Sequence, residues 1–416
     1  METTPRKMQE AQLTHTLTTQ AMNAEGQAAL TQQSAAANNR NSLLQTVARK
    51  YKVSPFRQFA DIYKLKKGVN CLNPREYYDL EVYRPDLTPE QKRAFVGERG
   101  SFKLNAELSP PNVTQMRGFL SDKVAFTALL SQFGLRTTTT QAVFSANRSF
   151  GALTTLRTAE ELRDWLQTSA RFPLFGKLIS GTQAIGSVSI THIVDGRAYL
   201  ASGEIVPLDQ LVTEIVAEKD TGFIFQDVVE QHPEISARAN TQSVSTMRIV
   251  TVIEDGAPRV LYALWKIPGE KAMSDNFWQK GSMIGEVDTA SGKVLSMRKG
   301  AGPDTEWPAT HPATGADIVG ATLPEWQSVV DLAVAAHQIF PINGILGWDV
   351  AIGPDGARII ECNENPHHGL YQLATARGIL NDRFKPVFEK IKTANANYAA
   401  AFSAKTKAYV SGRARF

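Results

Sequence analysis

Gly347-Trp348-Asp349-Val350-Ala351-Ile352-Gly353-Pro354-Asp355-Gly356-Ala357-Arg358-Ile359-Ile360-Glu361-Cys362-Asn363 reads as a β-hairpin that gathers its polar side chains on one face. Pro354-Asp355-Gly356 suits a three-residue loop, with Pro pre-setting the first turn position and Gly supplying the positive φ of a bulged exit. That loop pairs Gly353 with Ala357. Counted back along both strands, it sets Asp349 opposite Glu361, with Asn363 two residues further along the same face. Trp348, Val350, Ile352, Ile360 and Cys362 fall on the other face as an apolar anchor. A four-residue loop would split Asp349 from Glu361, so the reading rests on this turn. Asp349, Glu361 and Asn363 offer hard oxygens with no His or thiolate among them, which suits Mg²⁺, or Mn²⁺ in its place, retaining waters and holding substrate phosphates. A sheet edge whose acids merely face water is the competing reading.

At 416 residues, with 43% hydrophobic and 21% charged, the chain can bury two or three packed units. Lys+Arg 45 against Asp+Glu 41 leaves a formal charge of +4, too small and dispersed for a nucleic-acid binder. Cys71 and Cys362 are too few for a disulfide framework or a zinc site, and Cys362 reads as core. No run approaches a membrane span, and the N-terminus lacks the apolar stretch of a secretory signal. A cytoplasmic protein with reduced thiols is expected.

Residues 1–44 are rich in Gln, Thr, Ala, Asn and Ser, a composition that predicts a disordered tail or a loosely docked helix. Within 47–67, Val47, Tyr51, Val53, Phe56, Phe59, Ile62, Tyr63 and Leu65 recur near helical spacing among lysines and arginines. This is either a helix packed on its own domain or a contact for a peripheral partner or membrane surface. Asn73-Pro74-Arg75-Glu76 and Thr88-Pro89-Glu90-Gln91 look like helix starts, so a helical region is expected over 45–116. An α/β lead-in follows over 117–170. Short β-rich runs then alternate with helices in an α+β layout, divided into a small lobe over 171–235 and a large lobe over 236–416 that ends in helices.

Phe175-Gly176-Lys177 followed by Ser180-Gly181-Thr182-Gln183-Ala184-Ile185-Gly186-Ser187 puts a lysine at a strand end and a small-residue loop behind it. Such a loop lets backbone N–H groups close over phosphates. The strand through Gln226, Asp227, Val228 and Val229 leaves into a polar turn, where backbone groups can meet an adenine edge and a carboxylate can hold a ribose. Arg248 sits in an apolar strand and needs an anion, either a transferred phosphoryl group or a structural carboxylate.

Taken in order, these pieces resemble the ATP-grasp superfamily. From about Arg117 to Gly378 the chain is similar to its sugar-transfer-associated, α-L-glutamate ligase-related branch. Gly347-Trp348-Asp349-Val350-Ala351 and Ile360-Glu361-Cys362-Asn363-Glu364-Asn365-Pro366 carry the likeness. Thr246-Met247-Arg248-Ile249-Val250-Thr251, Ser274-Asp275-Asn276, Lys280-Gly281 and His311-Pro312-Ala313-Thr314-Gly315 support it. The resemblance implies an ATP-grasp fold, two α+β lobes gripping ATP. It makes Lys123 and Lys177 the nucleotide lysines, and the 180–187 loop, with Ser180, Gly181, Gly186 and Ser187, the phosphate lid. Gln226, Asp227 and Val229 become the adenine hinge, with Glu230 or Glu234 as the ribose acid. Asp349, Glu361 and Asn363 are then metal ligands, Arg248 steadies the transferred phosphoryl group, and Lys266, Asn276 and Lys280 line the acceptor side. Gln226 stands where an acid is frequent in the superfamily.

The implied chemistry activates a small-molecule carboxylate as an acyl phosphate that an amine or hydroxyl then attacks, releasing ADP and phosphate. The alternatives are a phosphotransferase on the same fold and a nucleotide-binding interaction protein without turnover.

Overall fold

The computed structural model describes residues 28–31, 40–109, 114–181, 184–218, 220–239, 241 and 243–410. Two sheets dominate. A seven-stranded sheet runs β2-β1-β7-β3-β4-β5-β6, from β1 (Thr140–Phe144), β2 (Thr154–Leu156), β3 (Leu174–Leu178), β4 (Val188–Val194), β5 (Arg197–Leu200), β6 (Ile205–Pro207) and β7 (Phe223–Asp227). A six-stranded sheet runs β11-β10-β9-β8-β12-β13, from β8 (Thr246–Glu254), β9 (Ala257–Ile267), β10 (Met283–Val287), β11 (Arg298–Lys299), β12 (Ile345–Gly353) and β13 (Gly356–Asn363).

The expected boundary between a lead-in unit and the small lobe does not exist. β1 pairs antiparallel with β7, whose other edge pairs with β3, so one sheet spans both segments. The helix Lys123–Gln132 instead packs Phe126 and Leu130 onto the large sheet, leaving its first residue to reach the space between the sheets.

Strand alternation explains how the large sheet serves two purposes. Met247, Ile249, Trp265, Trp348, Val350 and Ile352 face the helix Trp326–Gln338 and form one core. Val250, Val252, Tyr262, Leu264 and Ile345 point to the opposite face, under the N-terminal helices. Arg248 and Lys266 share that second face by the period of two, one or two positions nearer the cleft. The same sheet face is therefore apolar under the N-terminal helices and polar at its other end.

Both anticipated helix starts are capping boxes, at Asn73 and Thr88, each with Pro in the first turn. The helices Pro74–Asp79 and Pro89–Arg93 have six and five residues, too short to persist alone. They are held by Tyr77, Tyr78, Tyr83 and Phe95 packed against the sheet, Tyr371 and Phe384. Arg298, fully buried, reaches Glu81 at 3.1 Å and binds the N-terminal region to β11. The helical spacing over 47–67 resolves into two helices, Arg40–Tyr51 and Pro55–Leu65. They break at Lys52, whose φ is +58°.

The disordered-tail expectation for 1–44 fails where the structure describes that segment. Ala29 and Leu30 are buried in the small-lobe core, with both their N–H groups donating to the Glu214 carboxylate at 3.0 and 2.9 Å. Residues 40–44 begin a helix. The polar composition concealed an Ala-Leu pair large enough to dock. Residues 1–27 and 32–39 lie outside the described residues. Among the described residues no helix is long and apolar enough to cross a membrane.

Candidate active site

Asp349 and Glu361 are opposite each other, as are Gly347 and Asn363, but the hairpin reaches that register by another route. The loop has two residues, Pro354 and Asp355, because Gly353 pairs with Gly356 rather than with Ala357. The missing residue is restored by a bulge: Val350 pairs with Ile359 and Asp349 with Glu361, leaving Ile360 as the extra residue. Ile360 consequently leaves the apolar face assigned to it and lines the space between the sheets, while Ile359 takes the core position. Cys362 is core as expected. Gly347 is closely approached: a Cβ there would lie 3.0 Å from the Pro366 Cβ, so a side chain would have to push Pro366 aside by a few tenths of an ångström.

The buried Asp349 carboxylate is the centre of the cluster. Arg248, directly across on β8, donates from Nε and Nη2 to its two oxygens at 2.5 and 2.9 Å. Lys266 donates to the second oxygen at 3.0 Å. Burial alone would raise the Asp349 pKa, but the two cations more than offset it and hold the carboxyl well below the usual range. The anion that Arg248 needs is thus Asp349, and the ion pair keeps the guanidinium protonated against its own desolvation. Lys266 also reaches Asp275 at 2.8 Å, and the Thr246 hydroxyl donates to the same carboxylate. Asp275, inside Ser274-Asp275-Asn276, is a site residue that the sequence reading does not single out. Its signal was an acid between two polar residues in a segment too polar for core.

From the small lobe come two lysines. Lys177 on β3 is buried, with Nζ 3.4 Å from the Ile360 carbonyl. Burial pushes its pKa down to about 8, with Glu361 opposing and Lys123 adding to the fall. Gly176 beside it leaves no room for a side chain, since a Cβ would meet the Phe223 ring at 2.4 Å. Lys123, first residue of a helix capped by Asp122, donates to the Gly181 carbonyl at 2.9 Å and lies 3.8 Å from a Glu361 oxygen. The 180–187 loop therefore closes onto the same space, with Gly186 at φ +73° and the Ser187 hydroxyl donating to the Ala184 carbonyl. Ser180 donates to the Ser121 carbonyl. Thr182 and Gln183 lie outside the described residues. The docked segment joins this loop too: Thr31 donates to the Ser187 carbonyl and accepts from the Gly186 N–H.

Three hollows follow one another along the cleft. The first is walled by Phe175, Lys177, Met273 and Ile360 and edged by residues 226–229. Gln226 lines it with Thr138, its amide donating to the Thr138 hydroxyl at 2.7 Å, and Asp227 pairs with Arg171. Neither proposed ribose acid borders this hollow. Glu230 lines an adjoining one, which shares Asp227, Val228 and Val229 with the first and includes Asp355 and Arg358, and Glu234 is exposed at the start of the helix Pro233–Ala239. The second hollow joins Lys123, Lys177, Asp275, Asp349 and Glu361. The third lies between the N-terminal helices and the large lobe, lined by Arg75, Asn276, Trp278, Gln279 and His367, and shares Ile185 with the second. His367 Nε2 and Gln279 Oε1 are buried there without a hydrogen-bond partner. Burial, then Arg248, pushes His367 down to about 4, so its ring is neutral at pH 7.

The oxygen donors fit a hard divalent cation in part. Glu361 and Asn363 are only half-buried; Glu361 lines the second hollow, and both line a neighbouring one that shares Lys123, Gly181 and Ile360 with it, whereas both Asp349 oxygens already accept from cations. A metal there would rely chiefly on Glu361 and Asn363, with Asp349 contributing through its remaining lone pairs.

A family model described as sugar-transfer associated ATP-grasp matches residues 104–387. No curated protein matches the chain. Similar solved structures include a D-alanine-D-alanine ligase from Coxiella burnetii, 11% identical over 71% of this chain and 62% of that one, TM-score 0.39. An L-amino acid ligase from Bacillus licheniformis is 12% identical over 61% and 42%, TM-score 0.33. An N5-carboxyaminoimidazole synthase from Aspergillus clavatus is 10% identical over 69% and 58%, TM-score 0.34. The chain spans less than two thirds of the length of each.

Proposed function

From the premise that the chain belongs to the sugar-transfer-associated ATP-grasp family, we propose that it is a cytoplasmic ATP-dependent ligase joining a small-molecule carboxylate to an amine or hydroxyl. The observation that supports this reading is the order of the hollows: an apolar slot, a cluster of cations and acids, and a polar chamber, in line along one cleft.

Phe175 and Ile360 sandwich the adenine, and the backbone of 226–229 meets its polar edge. Lys123 and Lys177 neutralise the phosphates under the 180–187 loop. Mg²⁺ or Mn²⁺ held by Glu361, Asn363 and Asp349 would add charge neutralisation when bound. Arg248 and Lys266, anchored by Asp349, keep positive potential where the γ-phosphoryl group meets the substrate carboxylate. Transfer of that group to a carboxylate oxygen breaks the bond to ADP and gives an acyl phosphate. Attack by the nucleophile at the acyl carbon then expels inorganic phosphate. The chamber beside Asn276 and His367 holds the acceptor. The neutral His367 ring offers a lone pair to an incoming amine proton, and the two unpartnered polar atoms there support a ligand that completes them.

The test is product identification. The protein is incubated with ATP, Mg²⁺ and pooled amino acids, organic acids and sugar derivatives, with Glu361→Gln as control. ADP plus free phosphate that requires both a carboxylate and a nucleophile is the expected result. Phosphate retained on an acceptor would replace the ligase by a phosphotransferase, and binding without turnover across the pool would favour the interaction protein.

A further inference from the structure

The helix Pro55–Leu65 carries its largest apolar side chains on the outside. Phe56, Phe59 and Tyr63 are 84%, 61% and 70% exposed. At about 100° per residue the three rings fall within roughly 60° of one another, and Gln58, Ile62 and Leu65 form a second face roughly 130° away. That second face is fixed. Gln58 is fully buried, donating to the Val53 carbonyl and accepting from the Tyr78 hydroxyl at 2.9 Å, while Ile62 and Leu65 join the aromatic core. The helix cannot roll to hide its rings without breaking these bonds, so their exposure is built into the fold.

Charge surrounds the stripe. Lys52, Arg57, Lys64, Lys66 and Lys67 are all exposed, and the ammonium of Lys67 lies 5.6 Å from the Tyr63 ring centre. Asp61, the one acid between Lys52 and Val69 in the sequence, is taken by Lys92 at 2.6 Å. Val69, 57% exposed, continues the apolar surface past the helix end. Adjacent to it, the helix Glu98–Glu107 brings Lys103 to the Gly68 carbonyl.

We infer that this helix is a docking face for an anionic membrane surface. Phe56, Phe59 and Tyr63 enter the headgroup–acyl boundary while Arg57, Lys64, Lys66 and Lys67 meet lipid phosphates and carboxylates. The occupant follows from the form of the patch. One convex helix with a narrow aromatic stripe and a cationic margin matches an interfacial helix. A protein partner or a second copy of this chain would have to bring a complementary anionic groove. The rings supply insertion, and the cations select anionic lipid and make the contact salt-dependent. The cleft is not part of this surface, so the inference stands apart from the proposed activity.

The test uses the full chain and two sets of vesicles, phosphatidylcholine alone and phosphatidylcholine with phosphatidylserine, followed by flotation. Binding to the anionic vesicles and release by salt are expected. F56S/F59S/Y63S and K64E/K66E/K67E should each bind about tenfold or more weakly. Thermal midpoints should stay within a degree or two of the parent, since the changed side chains are exposed. Three results would overturn the inference: equal or no binding to the two vesicle types, variants that bind as the parent does, or a parent dimer that F56S/F59S/Y63S converts to monomer. The last would assign the stripe to a second copy.

Discussion

Asp349 stands opposite Glu361 because Ile360 is an extra residue in β13. A two-residue loop without the bulge would have paired Asp349 with Ile360 and turned Glu361 into the core. The bulge instead aims Ile360 and Glu361 into the cleft together, one toward the apolar slot and the other toward the cations. A bulge beside an active site is a common device for re-aiming a side chain.

Ile360→Ala should therefore weaken ATP binding without touching the core. Loss of its contact with the base is worth about 1–2 kcal/mol, roughly a 5- to 30-fold rise in Kd. Calorimetric titration of the variant checks this, and an unchanged Kd would move the base elsewhere.

Asp349→Ala and Glu361→Ala should part company. The first leaves Arg248 and Lys266 buried beside a lost partner and should cost about 3–5 kcal/mol of stability. The second removes a half-exposed carboxylate, so urea unfolding should change by less than about 1 kcal/mol while Mg²⁺-dependent turnover is lost. Normal turnover in Glu361→Ala would remove it from the metal site.

Lys177→Met should stabilise the fold and abolish nucleotide binding. The native pKa of about 8 lies below the ordinary lysine value of 10.5, so the folded state carries the charge at a cost. That cost, about 3 kcal/mol, is fully present below pH 8 and is relieved as the pH rises toward 10.5. The thermal midpoint of the variant should exceed the parent's at pH 7, and the gap should narrow above pH 8. A lower midpoint at pH 7 would mean that the ammonium is net stabilising.

Acid should weaken the large lobe through His337. The ring is fully buried between the Thr251 hydroxyl and the Asn343 carbonyl, and desolvation pushes its pKa down to about 4. The unfolded chain takes up the proton near pH 6.5 and the folded chain near 4. Stability is therefore complete above pH 6.5 and is lost as the pH falls toward 4, by about 2 kcal/mol at pH 5. Urea midpoints at pH 7 and 5 for the parent and His337→Gln measure this, and the variant should show a correspondingly smaller drop.

Arg298→Ala should loosen the N-terminal helices while sparing nucleotide affinity. It leaves Glu81 buried without its cation, at a cost of about 3–5 kcal/mol. Protease cleavage within 45–109 should rise while ATP titration stays unchanged. A fall in affinity would couple that region to the nucleotide.

What depends on near neighbours along the chain is legible from the residues alone. Capping boxes at Asn73 and Thr88, the strand alternation around Arg248 and Asp349, and the core role of Cys362 are set by periods of two and 3.6 and by local hydrogen bonds. Packing settled what depends on contacts between distant segments. It drew β1 onto β7 and merged two expected units. It gave Arg248 the partner Asp349, a hundred residues away, and brought Asp275 to Lys266. It docked Ala29 and Leu30 on Glu214, set Glu230 in a hollow adjoining the apolar slot and Glu234 on an exposed helix start, and left Phe56, Phe59 and Tyr63 outside. Spacing fixes which side of an element a residue occupies, whereas what that side meets is settled by how elements pack. The hairpin lies between the two cases: its facing pair was legible, but loop and bulge trade one residue for another, and only the ladder of backbone bonds shows which strand holds it.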